Sequence, residues 1–224
     1  MAVSRRVRGG LLGAAVAGSL VLGATGCAGG ADEPATGADE AVAAGRLCGG
    51  KAVSTGAGEA LEVITGSSEF AASGERSTVA HAAQELADRF ASSATATGDV
   101  CRVHTADGTS GDELRITWRL SGSAPVDDPA EKFTVLKMGE RALTAPDGAF
   151  LRFGCRGGKL PGSGPAHIDI GVERGGMPTD PEGDPGALRD AYATVAHSFS
   201  LAMAKALGCE DDGGLEARPA LDPA

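Results

Sequence analysis

The sequence predicts an α+β domain: an antiparallel sheet packed on one face by helices, with a long C-terminal amphipathic helix and two disulfides. Three observations carry this. Period-two alternation runs through "ELRITWRL" (113–120) and "HIDIGVER" (167–174). Helical periodicity runs through "DPGALRDAYATVAHSFSLAMAKALGC" (184–209). Four cysteines, Cys48, Cys101, Cys155 and Cys209, are spread over the same span. Such alternation marks strands with one buried and one solvated face, the usual state of an antiparallel sheet carrying helices on one side.

Each element has its own warrant. "STGAGEALEVITG" predicts a helix with Ser54 or Thr55 as N-cap, Leu61 and Ile64 on one face, and Gly66 as its stop. "SGERSTVAHAAQELADRFAS" predicts a second helix, with Ser77 able to cap it and Val79, Ala83, Leu86 and Phe90 at helical spacing. "DVCRVHT" (99–105) and "ELRITWRL" are joined by the turn chemistry of "ADGTSGD" and read as a hairpin. Leu114, Ile116, Trp118 and Leu120 share one face there, so Trp118, the single tryptophan, reads as core. "FTVLKMG" (133–139) is ambiguous. A turn at Asp147-Gly148 then leads into a strand through Phe150–Cys155. In "HIDIGVER", Ile168, Ile170 and Val172 oppose His167, Asp169 and Glu173.

The closing helix is the strongest element. Asp184 suits its N-cap and Pro185 its first position. Leu188, Tyr192, Val195, Phe199, Ala202 and Ala206 trace one stripe with Met203 beside it, and Gly208 stops the helix. The acidic, Gly- and Pro-containing end "EDDGGLEARPALDPA" reads as disordered. The folded domain is therefore expected over 47–210, with a disordered tail over 211–224.

Ahead of the domain, Arg5, Arg6 and Arg8 precede a short apolar run, "GLLGAAVAGSLVLGATG", which ends in small residues before Cys27. A charged start, a short apolar core and a small-residue cleavage site make a secretory signal peptide over 1–26. The apolar core is shorter than the ~20 residues a spanning helix needs. Ala24-Thr25-Gly26-Cys27 resembles the lipobox of bacterial lipoproteins, although Ala24 stands where leucine is usual. The resemblance implies that the Cys27 thiol takes a diacylglycerol, that cleavage follows Gly26, and that Cys27 becomes the acylated first residue. A diacylglyceryl thioether supplies two chains, enough for firm anchoring. "SRRVRG" is similar to a twin-arginine export signal but lacks the bulky residues that follow the arginines in such signals. Residues 27–46 then read as acylated cysteine and flexible tether, with a span of roughly 25 Å.

With Cys27 assigned to lipid, the other four cysteines form an even set in an exported chain. Two disulfides are expected, with three possible connectivities. Cys48–Cys101 and Cys155–Cys209 are favoured, each closing one half of the domain and each contributing about 4 kcal/mol by loop-closure entropy.

The order "LCGGKAV…ALEVITG…F", "VCRVHT…LRITWRL", "LRFGC" and a last helix ending "ALGC" resembles a family of secreted lipoproteins of streptomycetes and other actinobacteria, over about residues 46–210. The resemblance rests on cysteine context and element order. It implies a compartment, the outer face of the cytoplasmic membrane, and a fold. No activity comes with it.

The formal charge is −10, and removal of the leader takes three arginines and no acid. An acidic chain of this kind is a poor ligand for nucleic acid or for anionic lipid. Catalytic signatures are missing. "PGSGP" (161–165) is not the strand–Ser–helix elbow of a hydrolase, so Ser163 is not expected to act as a nucleophile. No zincin, P-loop or dinucleotide motif occurs, and no Cys/His spacing suits zinc. His167, Asp169 and Glu173 share a strand face that becomes a metal or acid–base face if His104 lies opposite. A solvated polar face is the plainer reading. His81 and His197 fall on polar sides of helices and read as surface residues. "TDPEGDPG" (179–186) is faintly like a calcium loop, but Pro185 and Ala191 stand where such a loop wants glycine and glutamate. No catalytic residue, metal or cofactor is therefore expected. The expected function is a lipid-anchored, non-enzymatic module binding a small molecule or an envelope protein. The alternative is a cell-envelope hydrolase with an unrecognised site.

Overall fold

A computed structural model describes residues 41–108, 113–123, 128–175 and 181–224. Cys27 and most of the expected tether lie outside the described residues. The described part belongs to one compact unit that runs from Gly37 to Ala224.

The centre is a six-stranded antiparallel sheet. Its strands are β3 (Ala96–Val103), β4 (Leu114–Ser121), β5 (Thr134–Leu136), β6 (Arg141–Ala145), β7 (Gly148–Cys155) and β8 (Ala166–Arg174), in spatial order β3-β4-β8-β7-β6-β5. Register aligns the apolar residues in rows. Trp118 faces Ile170, which faces Leu151; Leu120 faces Ile168, which faces Phe153. All six are buried on one side of the sheet. Opposite Trp118 stands Gly98, where a Cβ would lie 2.5 Å from the indole, so only glycine fits there.

Among the described residues, helices cover only this side. Helix α1 (Thr55–Thr65) begins at Ser54, whose side chain accepts from Ala57 N at 3.2 Å, and ends at Gly66 in the left-handed region (φ 71°). Helix α2 (Val79–Phe90) is capped by Thr78, not Ser77: the Thr78 side chain accepts from His81 N at 3.2 Å, and Ser77 lies in the preceding turn, its N–H bonded to Gly74 O. Helix α3 (Pro185–Leu207) begins at Asp184 and ends at Gly208. α2 packs on β3 and β4, α3 packs on β6, β7 and β8, and α1 packs on α3.

That arrangement corrects one reading. α3 lies between the sheet and α1, so its second side is buried as well. Ser198 Oγ accepts from Ser54 N (3.0 Å) and donates to Ala52 O (2.8 Å). His197 is buried too, not at the surface, and its Nε2 meets the Glu216 carbonyl at 3.0 Å. A carbonyl can only accept, so Nε2 carries the proton. Burial lowers the His197 pKa from its usual 6.5, and the bond to Glu216 partly opposes this.

Both ends of the domain extend past the expected limits. β1 (Ala41–Ala43), inside the segment read as tether, pairs antiparallel with β2 (Glu69–Ala71). The tail read as disordered is ordered: Leu215 is buried, and Pro223 bridges Leu136 on the sheet-edge strand β5. Ala224 N donates to Val135 O at 2.9 Å. An edge strand offers unpaired backbone groups, and the tail supplies partners for them.

The cysteines pair as Cys48–Cys101 and Cys155–Cys209, with Cα separations of 5.8 and 4.9 Å. A bulge in β3 leaves Val100 without a partner between Asp99↔Thr117 and Cys101↔Ile116. The extra residue turns Cys101 to the helix side, where Cys48 meets it. Among the described residues, no helix is long and apolar enough to cross a membrane.

Candidate functional site: the open face of the sheet

Alternation that buries one side of each strand delivers the other side to the opposite face, which carries no helix among the described residues. The register sets out its side chains. On β4 these are Arg115, Thr117, Arg119 and Ser121; on β8, His167, Asp169, Gly171 and Glu173; on β7, Phe150, Arg152 and Gly154. Gly171, flanked by Thr117 and Phe150, leaves the floor low: a Cβ there would meet Thr117 Oγ1 at 2.9 Å and the Phe150 ring at 3.1 Å.

At the centre lies a buried ion pair. Arg152 grips Asp169 with both prongs, Nε to Oδ1 at 2.9 Å and Nη2 to Oδ2 at 2.8 Å, and the two side chains are only 6% and 10% exposed. Ser121 Oγ donates to Asp169 Oδ2 at 2.8 Å, and Arg152 Nη1 donates to Ser123 O at 3.3 Å. Such a pair survives burial because its geometry is bidentate and its remaining groups are satisfied. Arg119 Nε reaches the same Oδ2 at 3.4 Å, the longest of the three contacts to that oxygen, and its side chain is 57% exposed.

Two depressions flank this centre and share Arg119, Phe150 and Asp169. One, of about 470 Å³, runs toward Asp99, Arg115 and Glu173. The other, of about 330 Å³, runs toward Phe133, Arg141 and Leu143. Phe133 and Phe150 meet edge to face with ring centres 5.9 Å apart. Arg115 is held by Asp99 at 2.7 Å, and Arg102 reaches Asp99 and Glu113 at 3.7 and 3.4 Å. Together they form a shallow groove with an anchored polar floor and one apolar end, of a size suited to a small ligand.

The residues singled out in the sequence are only partly brought together. His167, Asp169 and Glu173 do share the open face, but each has separate surroundings. His167 Nδ1 pairs with Glu140 at 2.7 Å, and Asp169 is committed to Arg152. His104 follows Val103, which lies in register with Leu114 and so with Arg174, whereas His167 lies in register with Ser121. His104 and His167 are thus at opposite ends of the sheet, roughly 26 Å apart along the strands. Ser163 is exposed in a loop with no helix after it. Asp184 caps α3, and residues 179–180 of the calcium-like stretch lie outside the described residues. Among the described residues, no group of three or more His, Cys, Asp or Glu side chains is placed to hold a metal ion.

Arg119 and Arg152 were not marked by the sequence reading. The signal for Arg152 was present in "FLRFGC": an arginine inside an otherwise apolar strand needs a buried partner. Comparisons with known protein families, with curated proteins and with solved structures give no match to the chain.

Proposed function

We propose that this protein is a lipid-anchored, non-enzymatic binding module on the outer face of the cytoplasmic membrane, which takes its ligand in the open-face groove. In this reading residues 1–26 are a signal peptide and Cys27 carries the lipid, as in the actinobacterial lipoproteins the sequence resembles. The observation that carries the binding role is the buried Arg152–Asp169 pair in the floor of a face that no helix of the described residues covers. A charge pair of that kind costs desolvation, and a rigid polar floor for a ligand gives it a use. Two disulfides support an oxidising compartment. The commitment of Asp169 to Arg152 and of His167 to Glu140 supports binding over catalysis.

The address is tested by the intact mass of the protein from the membrane fraction. The expected mass begins at Cys27, adds a diacylglyceryl group and lacks four hydrogens for two disulfides. A different first residue, or four free thiols, overturns it. The binding role is tested by a fragment library mapped on the amide spectrum of the full chain. Shifts should gather on Thr117, Phe150 and Gly171; a library with no hit there overturns it.

A further inference from the structure

We infer that the groove recognises an organic oxyanion with an apolar body, its charged group set against Arg119 and its body on the Phe133–Phe150 side. This rests on the binding reading and names the ligand class.

The polarity of the groove carries the inference. The larger depression sets two arginines, Arg115 and Arg119, against three carboxylates, Asp99, Asp169 and Glu173. The smaller sets three arginines, Arg119, Arg141 and Arg152, against two carboxylates, Asp128 and Asp169. The second is therefore lined by more of the described arginines and fewer of the described carboxylates than the first. It is also the half that holds Phe133, Leu143 and Phe150.

Asp169 decides which cation is available. Its Oδ2 already accepts from Arg152 and Ser121 at 2.8 Å each, so one carboxylate serves two guanidinium groups and Arg119 holds the weaker contact. A guanidinium that is more than half exposed and under-compensated is a ready donor for a carboxylate or phosphate, by two parallel hydrogen bonds. Glu173 stands four residues from Asp169 on β8, roughly 13 Å along the strand, and repels an anion from the other end. The ligand is therefore oriented: charge at Arg119, apolar body over Phe150 and Phe133. The rings contribute by apolar burial and, where the body is aromatic, by edge-to-face contact.

The test titrates the full chain, in detergent, with phenylacetate, and compares its neutral isostere phenylacetamide and the bodiless anion acetate. Amide shifts at Phe150 and Gly171 report binding. Phenylacetate should bind at least roughly ten-fold tighter than either control, and Arg119→Ala should weaken it by roughly ten-fold or more while leaving phenylacetamide unaffected. Equal binding of phenylacetamide to the same amides overturns this inference and leaves the binding reading standing. Equal binding of acetate overturns the apolar half of it. Shifts from none of the three, with no fragment hit on this face, overturn both.

Discussion

The two faces of the sheet are built from the same six strands and solve opposite problems. The helix side is a row of Trp118, Ile170 and Leu151 beside a row of Leu120, Ile168 and Phe153, sealed by α2 and α3. The open side is arginine, carboxylate, glycine and phenylalanine, with a buried ion pair at its centre. Both disulfides fasten to the helix side, at Cys101 and Cys155. The contrast teaches where stability is held: the covered face and its crosslinks hold the fold, which leaves the open face free to carry charges that contribute little to it.

Removing crosslinks is the hardest way to break that division. Cys48→Ser with Cys101→Ser, or Cys155→Ser with Cys209→Ser, opens a loop of 53 or 54 residues. Each pair should lose about 4 kcal/mol in guanidinium unfolding. The exception on the open face comes next. Asp169→Asn leaves Arg152 buried without a counter-charge and should cost about 3 kcal/mol or more, whereas the double change to leucine recovers most of it. A cost near zero for Asp169→Asn would place the pair outside the framework of the fold.

Dryness of the covered side has an optical reporter, because Tyr192 is the only tyrosine. Burial first, then Asp147, raises its pKa against the opposing pull of Arg174, to about 12. Its folded pKa lies above the unfolded 10.0, so its contribution to stability is full below pH 10 and is lost as pH rises toward 12. Absorbance near 295 nm should show phenolate forming about two pH units later in native than in denatured protein. His197 titrates with the opposite sense. Its folded pKa is lowered, so the stability it lends is full above pH 6.5 and is lost as pH falls through the lowered value. Between pH 7 and pH 5 the wild type should lose more stability than His197→Gln, whose amide can still donate to Glu216.

Sequence patterning made the covered face legible because burial there is one-sided and periodic: the β4 and β8 alternation, the Asp184–Pro185 start and the Gly66 and Gly208 stops all hold. The favoured cysteine pairing holds as well. What was missed lies where side chains are small or the partner is distant in sequence. β6 was invisible because Ala142 and Thr144 supply its inward positions, and Thr144 turns its hydroxyl to the Arg189 carbonyl of α3 at 2.6 Å. His197 was misplaced because a helix sandwiched between sheet and α1 has no solvated side for a polar residue to mark. The tail has the composition of a disordered segment, and nothing local foretells its pairing with the edge of β5. On the open face, Asp169 was noticed for its neighbours His167 and Glu173, whereas its true partner comes from β7. A charge 17 residues away is not readable from alternation.

The division between the faces meets its most direct test in thermal unfolding of Arg119→Ala beside the wild type, with and without phenylacetate. Arg119 makes an exposed contact, worth no more than ~0.5 kcal/mol to the fold. Without ligand the two proteins should melt within about two degrees of each other. Phenylacetate should raise the melting temperature of the wild type clearly more than that of the variant. A variant that melts several degrees lower, yet is stabilised by phenylacetate as much as the wild type, would contradict the account: Arg119 would then belong to the fold and not to the ligand.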